Sequence, residues 1–249
     1  MLLNSFKDAL LDVMDQKSHW AWPLFNEGQV SKNLLHHHLE QEYGVYVHDF
    51  AWMLGRAYAQ CAVPDARAQL AQKLFEEETG GLSMGVPHAQ LFLRVPEGLG
   101  MDLDRFDRVR LLPQAESFRE LIDQFTLDRG WEVATAITTL FLEGTSHDRG
   151  ELDPAHPTRP QPSLSDHPLH QHYGLPLECL ALTRVHRQEE QGNRANAWRV
   201  ILDHVGPLKR RAVLNAMEEA LDAWLIYRDA VAEACGLTRP VMSARLASA

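Results

Sequence analysis

The chain has 249 residues, 45% of them hydrophobic and 23% charged. These are the proportions of a globular protein, with enough chain to bury a sizeable core. Its 24 Lys and Arg against 34 Asp and Glu leave a net charge of -10. The acidic excess is spread along the sequence, which argues against nucleic acid or an anionic membrane surface as partner.

Met1 to Asp8 meets charge too soon to be a secretion signal, and no apolar run approaches the roughly 20 residues that span a bilayer. The three cysteines, Cys61, Cys179 and Cys235, stand far apart in apolar helical contexts. That pattern predicts buried free thiols in a reducing, cytoplasmic compartment.

Nearly every long segment has helix periodicity, and none alternates like a strand. Residues 1–18 hold a short amphipathic helix, and His19 to Glu27 form a Trp-rich connector. Ser31 is placed to cap a long helix running to Cys61. Pro64 opens a second, which ends at Gly80-Gly81. Pro87 precedes a helix carrying His88. Helices follow over 117–128 and 131–145. Residues 150–174, with five prolines, read as a surface loop. Pro176 to His204 is helical with an expected break at Gly192, Pro207 to Cys235 is the last helix, and 237–249 is a frayed tail. The expectation is one all-α domain over residues 1–249, a bundle of about seven or eight helices without internal repeats.

Three stretches place carboxylate or imidazole groups within apolar helix, where burial is costly without compensation. In the first long helix Leu35, Leu39, Glu42, Tyr46, Phe50 and Met53 recur at steps of three or four and share one face. Glu42 on that stripe needs a partner, either a cation of another helix or a metal; an exposed Glu42 is the plain alternative. Next, Glu76-Glu77-Glu78 sweep around a helix end, so at most two point inward. Acid at a helix C-terminus opposes the macrodipole, and a cation held by Glu78 and His88 across the turn would relieve the conflict; the alternative is a solvated acidic end. Third, His186, Glu190 and Asn193 share a helical face with Leu182 and Trp198. They read either as ligands in a bundle or as a polar strip.

His36-His37-His38 point in three directions and cannot chelate as a unit, His38 being the one to turn inward. His167, His170 and His172 lie in the proline-rich loop and read as surface. No Gly-x-Ser-x-Gly elbow or phosphate-cradling loop is present, and no Cys–His spacing recommends a nucleophilic dyad.

Leu39-Glu40-Gln41-Glu42-Tyr43-Gly44-Val45-Tyr46, Lys73 to Gly81 leading to Pro87-His88-Ala89-Gln90-Leu91-Phe92, His186 to Trp198 and the closing Trp224 to Gly236 are together similar to the heme-oxygenase-like superfamily. That superfamily contains TenA-like and PqqC-like proteins, non-heme diiron oxidases and oxygenases, and bacterial iron-containing redox enzymes. The resemblance spans Trp20 to Cys235. It implies a metal site made of Glu42, Glu78 (or Glu77 by a one-residue slip), His88, His186, Glu190 and Asn193. The family pattern has His where Asn193 stands, which makes the second of two Fe(II) ions labile or absent. Tyr46, Trp198 and His38 are candidates to line the pocket; core packing is the alternative for Tyr46 and Trp198.

The implied function is O2-dependent oxidation of a small amino-acid-like or fatty-acid-like substrate by N-oxygenation, desaturation or C–C cleavage, with an external reductant and a homodimeric assembly. The rivals are a metal-free PqqC-like oxidase or TenA-like hydrolase of the same fold, and a non-catalytic helical binding protein.

Overall fold

Helix periodicity without strand alternation leaves one way to bury apolar surface, helix against helix. The structure, a computed structural model, describes residues 1–153, 155 and 161–240, and for residues 188–193 the backbone alone. Among the described residues there is no strand. There are thirteen α-helices, α1 (Leu3–Asp15), α2 (Trp22–Asn26), α3 (Lys32–Glu42), α4 (Phe50–Gln60), α5 (Pro64–Thr79), α6 (His88–Gly98), α7 (Asp104–Asp107), α8 (Pro113–Asp128), α9 (Trp131–Thr135), α10 (Asp148–Glu151), α11 (Pro168–Tyr173), α12 (Ala181–His204) and α13 (Arg210–Ala234).

The count exceeds seven or eight because long helices are interrupted. The helix expected from Ser31 to Cys61 is α3, a π-helical segment at Tyr43–Val47, and α4 after a turn. Its π closure is visible where the His48 N–H donates back five residues to the Tyr43 carbonyl at 3.0 Å. The helix expected over 131–145 is α9 followed by a second π segment, Ala136–Leu142. Short helices α2, α7, α10 and α11 fill the connectors. In the other direction, α12 runs through Gly192 without the expected break.

Around α13 the bundle closes. Its stripe Val213, Met217, Ala220, Trp224, Tyr227 and Val231 is buried, and it packs on α8, α1 and α3. The Phe118 ring stacks on Tyr227 with centroids 5.4 Å apart. Helix α1 lays Phe6, Leu10 and Met14 into the same core, each such side chain contributing roughly 1.5–3 kcal/mol. One contiguous cluster of buried apolar side chains includes residues from Phe6 to Leu237.

The stretch 150–174 is not a plain surface loop. Its described part forms a 3-10 turn, Leu164–Asp166, and α11. His167 and Leu169 from it face the internal cavity, because a segment this apolar at Leu164, Leu169 and Tyr173 packs against the core rather than into water. Residues 154 and 156–160 of that stretch, and 241–249 of the expected tail, lie outside the described residues. Cys61 and Cys235 are buried free thiols as expected, and Cys179 is half-buried. No described helix is long and apolar enough to cross a membrane.

Candidate metal centre

The acidic end of α5 is the first wall of the site. Ala66, Leu70, Lys73 and Glu77 recur at steps of four, three and four, so Glu77 inherits the inward face and is buried. Glu78 lies about 100° further round the helix and is exposed; it does not line the cavity. Glu76 is buried for a different reason. Its carboxylate accepts from the Leu82 N–H at 2.6 Å and from the Ser83 hydroxyl, tying down the turn after the helix. That turn needs Gly80: φ is +58°, and a Cβ there would sit 2.3 Å from the Val86 carbonyl oxygen. The chain then re-enters at α6 with His88 buried between the two acids, Nδ1 2.9 Å from Glu77 Oε2 and Nε2 3.3 Å from Glu76 Oε1. Burial pushes Glu77 toward protonation, but His88 and Lys73 outweigh it and hold its pKa below the ordinary carboxylate range.

These groups open onto a cavity of about 440 Å³. Its lining is polar at Glu42, Lys73, Glu77, His88, Glu143, His186 and Arg194 and apolar at Leu39, Phe50, Phe92 and Leu180, among others. Glu42 arrives from the last residue of α3. The Tyr46 hydroxyl donates to its Oε1, and His38 Nε2 faces its Oε2 at 3.2 Å. Arg228, itself buried against the Trp22 ring at 4.1 Å, meets His38 Nδ1 at 3.2 Å. A guanidinium only donates, so Nδ1 accepts and Nε2, the nitrogen facing Glu42, carries the proton. Burial opposes ionisation of Glu42, yet His38, Arg228, Tyr46 and Lys17 bring its pKa below the usual value. Burial drives the His38 pKa down to about 4, so this imidazole is neutral at pH 7.

The opposite wall carries Glu143, the first residue after the π segment Ala136–Leu142. Lys73 Nζ lies 2.6 Å from Glu143 Oε1 and 3.3 Å from Glu77 Oε1, one ammonium between two carboxylates of different elements. Burial and the Glu77 charge outweigh that ammonium, and the Glu143 pKa is raised. His186 is accessible along the cavity it lines. It is still enclosed closely enough that burial, with His88 and Lys73 reinforcing and Glu77 opposing, pushes its pKa down to about 4. Its ring stands edge-on to His88 with centroids 5.5 Å apart. His186 is therefore neutral at pH 7, the form in which an imidazole ligates a metal.

Of the residues singled out in the sequence, Glu42, Tyr46, Glu77, His88 and His186 meet in this cavity. His38 stands behind Glu42. Glu78 is the correction, replaced by Glu77. Trp198 does not line the cavity: it is buried in the core, and its indole N–H donates to Asp148 at 2.8 Å. Glu190 and Asn193 lie on the continuous helix α12, and their side chains fall outside the described residues.

Glu143, Lys73 and Arg194 were missed. A signal for Glu143 existed: from Val133 to Leu142 no residue is charged, which marks a buried helix, so the carboxylate that follows directly has to be accommodated beside the core. The π segments point to the same place, since such distortions gather at functional sites: the first begins just after Glu42 and the second ends just before Glu143.

The histidine runs resolve differently. Among the described residues, His36, His37 and Glu40 bring three donor atoms within 4.8 Å of one another, but none lines the cavity and Glu40 is held by Arg105. The loop histidines are engaged separately. His167 Nδ1 accepts from the Leu169 N–H as a helix cap, His170 bonds the Leu175 carbonyl at 2.7 Å and His172 the Asn26 carbonyl at 3.1 Å.

Three carboxylates and two imidazoles from five elements are the donor types that iron or manganese prefers, so the residues present fit such an ion on donor chemistry. The helical architecture around them is heme-oxygenase-like. The match to the family of iron-containing redox enzymes covers residues 36–225, and the chain belongs to that family. Two solved structures share the fold. A TenA homolog from Pseudomonas syringae pv. tomato superposes with a TM-score of 0.68 at 13% identity, over 94% of this chain and 96% of its own. A CADD-like protein of unknown function from Nostoc punctiforme gives 0.65 at 13% identity, over 93% and 97%. No curated protein is matched in sequence.

Proposed function

We propose that this protein is an O2-dependent non-heme iron oxidoreductase acting on a small organic substrate in the 440 Å³ cavity. The observation that carries the reading is convergence: Glu42, Glu77, His88, Glu143 and His186 come from five separate elements and line one cavity. These five would hold iron; Glu190 and Asn193, on the same helix as His186, remain candidates by sequence alone. Iron, when bound, supplies the redox chemistry that reduction of O2 requires.

The chain's own groups do the rest. Tyr46 and His38 orient Glu42 by its two oxygens. His186 is neutral at pH 7 and keeps a lone pair for coordination. The wall of Leu39, Phe50, Phe92 and Leu180 excludes water from the reacting end and receives the apolar part of a substrate. An external electron donor belongs to this reading.

A metal-free enzyme of the same fold is the second reading, favoured by one observation: the Lys73 ammonium already compensates Glu77 and Glu143. Its hydrolase form lacks support, since no cysteine is among the residues lining the cavity.

Anaerobic Fe(II) titration separates the two. Saturable binding in wild type, weakened at least 100-fold in Glu77→Ala and unchanged in Glu78→Ala, supports the iron enzyme. Absence of saturable binding in wild type, or equal affinity in Glu77→Ala, sinks it and leaves the metal-free reading.

A further inference from the structure

Lys17 lies just beyond α1, far in sequence from every group lining the cavity. Its Nζ nevertheless donates to three carbonyl oxygens of a single turn, Phe141, Leu142 at 3.4 Å and Gly144 at 2.7 Å. It also sits over the rings of Phe141 and Trp224, at 4.9 and 5.7 Å from their centroids. The carbonyls it gathers flank Glu143. A helix end leaves its last carbonyls without intrahelical partners and carries the negative pole of the dipole, so a buried amino group is well matched to this place.

A second basic side chain grips the same turn from another direction. Arg194, on α12, donates to the Thr139 carbonyl at 2.6 Å and the Leu140 carbonyl at 3.4 Å. Its charge is met by the buried carboxylate of Asp148, which also accepts from Trp198. Between the two side chains the backbone has no slack. A Cβ on Gly144 would lie 2.2 Å from the Leu140 oxygen and 2.4 Å from Arg194 Nη2.

What Lys17 and Arg194 hold is a π geometry. Relaxing such a segment to an α-helix shifts the register by one residue and turns everything beyond it by about 100°. Glu143 follows the segment directly, so the shift would carry its carboxylate out of the cavity.

We propose that Lys17 is a positioning residue of the metal centre: by capping the end of Ala136–Leu142 it keeps the π register that aims Glu143 into the cavity. The inference rests on Glu143 being a metal ligand, as proposed above. Lys17 touches neither metal nor substrate and acts through Glu143. The N-terminal segment is thereby part of the site's machinery and not only a cover for α13.

The test is equilibrium Fe(II) binding without O2, measured on the full chain for Lys17→Met, Glu143→Gln and Leu10→Ala. Leu10→Ala loosens α1 without touching the lysine. The expectation is a 10- to 100-fold weaker Kd in Lys17→Met, the range for residues that orient a ligand. Glu143→Gln should be at least as weak, and Leu10→Ala should lose thermal stability while keeping the wild-type Kd.

Wild-type affinity in Lys17→Met alongside weak binding in Glu143→Gln overturns the role of Lys17 and leaves Glu143 a ligand. Equal weakening in Leu10→Ala and Lys17→Met overturns it too, as general loosening. Wild-type affinity in Glu143→Gln overturns the ligand assignment itself. If Lys17→Met yields no soluble protein, Lys17→Gln, which removes the charge and keeps a donor, takes its place with the same outcomes.

Discussion

The two sides of the cavity hold their carboxylates by different means. Glu42 is served mainly by its own stretch of chain: His38 lies four residues before it and Tyr46 four after, while Arg228 of α13 and Lys17 act on it from elsewhere. The opposite side is assembled from distant pieces. Glu77 and Glu143 share the single ammonium of Lys73, while the turn behind Glu143 is gripped by Lys17 and Arg194. The electrostatic outcome differs accordingly. Glu42 is pulled below its ordinary pKa despite burial, whereas Glu143 is pushed above it by burial and by Glu77. Two carboxylates sharing one positive charge leave a negative excess in a poorly solvated place. That side of the cavity is where an added cation gains most.

Several changes would break this contrast or sharpen it. The largest effect belongs to the assembled side. Asp148→Ala leaves the Arg194 guanidinium buried without its carboxylate and Trp198 without an acceptor. It should cost about 3–5 kcal/mol, read as a lowered midpoint in urea unfolding; a loss below about 1 kcal/mol would mean that the grip on the Glu143 turn is not rigid.

Acid comes next. The His38 pKa is about 4 in the folded chain against 6.5 for a free histidine. Between those values the unfolded chain takes up a proton that the folded one refuses. Stability should therefore be flat above pH 6.5, fall as pH drops through the window to about 4, and be lower by about 2 kcal/mol at pH 5. Urea titrations of the metal-free protein at pH 7 and 5, in wild type and in His38→Gln, measure it: the variant should lose this share of the slope and keep the share of His186, whose pKa is also about 4.

The smallest change is expected on the self-contained side. Tyr46→Phe deletes one donor to Glu42 but leaves His38 in place, a cost of about 1 kcal/mol. A larger loss in the same unfolding experiment would show that Glu42 depends on the phenol more than on its histidine.

How much could be read beforehand follows the same division. The stripe that carries Glu42 was legible from helix periodicity, but its partners were not: a cation of another helix or a metal was expected, and His38 and Tyr46 of the same stretch hold it. The three glutamates at the end of α5 were read one residue out of register. The resemblance implies Glu78 with Glu77 as the alternative one residue away, and the stripe Ala66, Leu70 and Lys73 sets the inward face at Glu77. Glu143 follows an uncharged run that marks a buried helix, but the direction of its carboxylate depends on the π register of Ala136–Leu142, which a plain helix over 131–145 does not contain. The Pro-rich stretch was read as surface, yet it contributes His167 and Leu169 to the cavity wall.

By itself the sequence determined the all-helical architecture, the inward stripe bearing Glu42, and the presence of His88 and His186 on core-facing helices, because each is a matter of local period and burial. Only the tertiary structure decided which acid of α5 faces the cavity, that Lys73 stands between Glu77 and Glu143, and that Lys17 and Arg194 hold a π turn behind the latter. Those contacts join residues more than a hundred apart in the case of Lys17. No periodicity encodes such a meeting; it follows from how the helices pack.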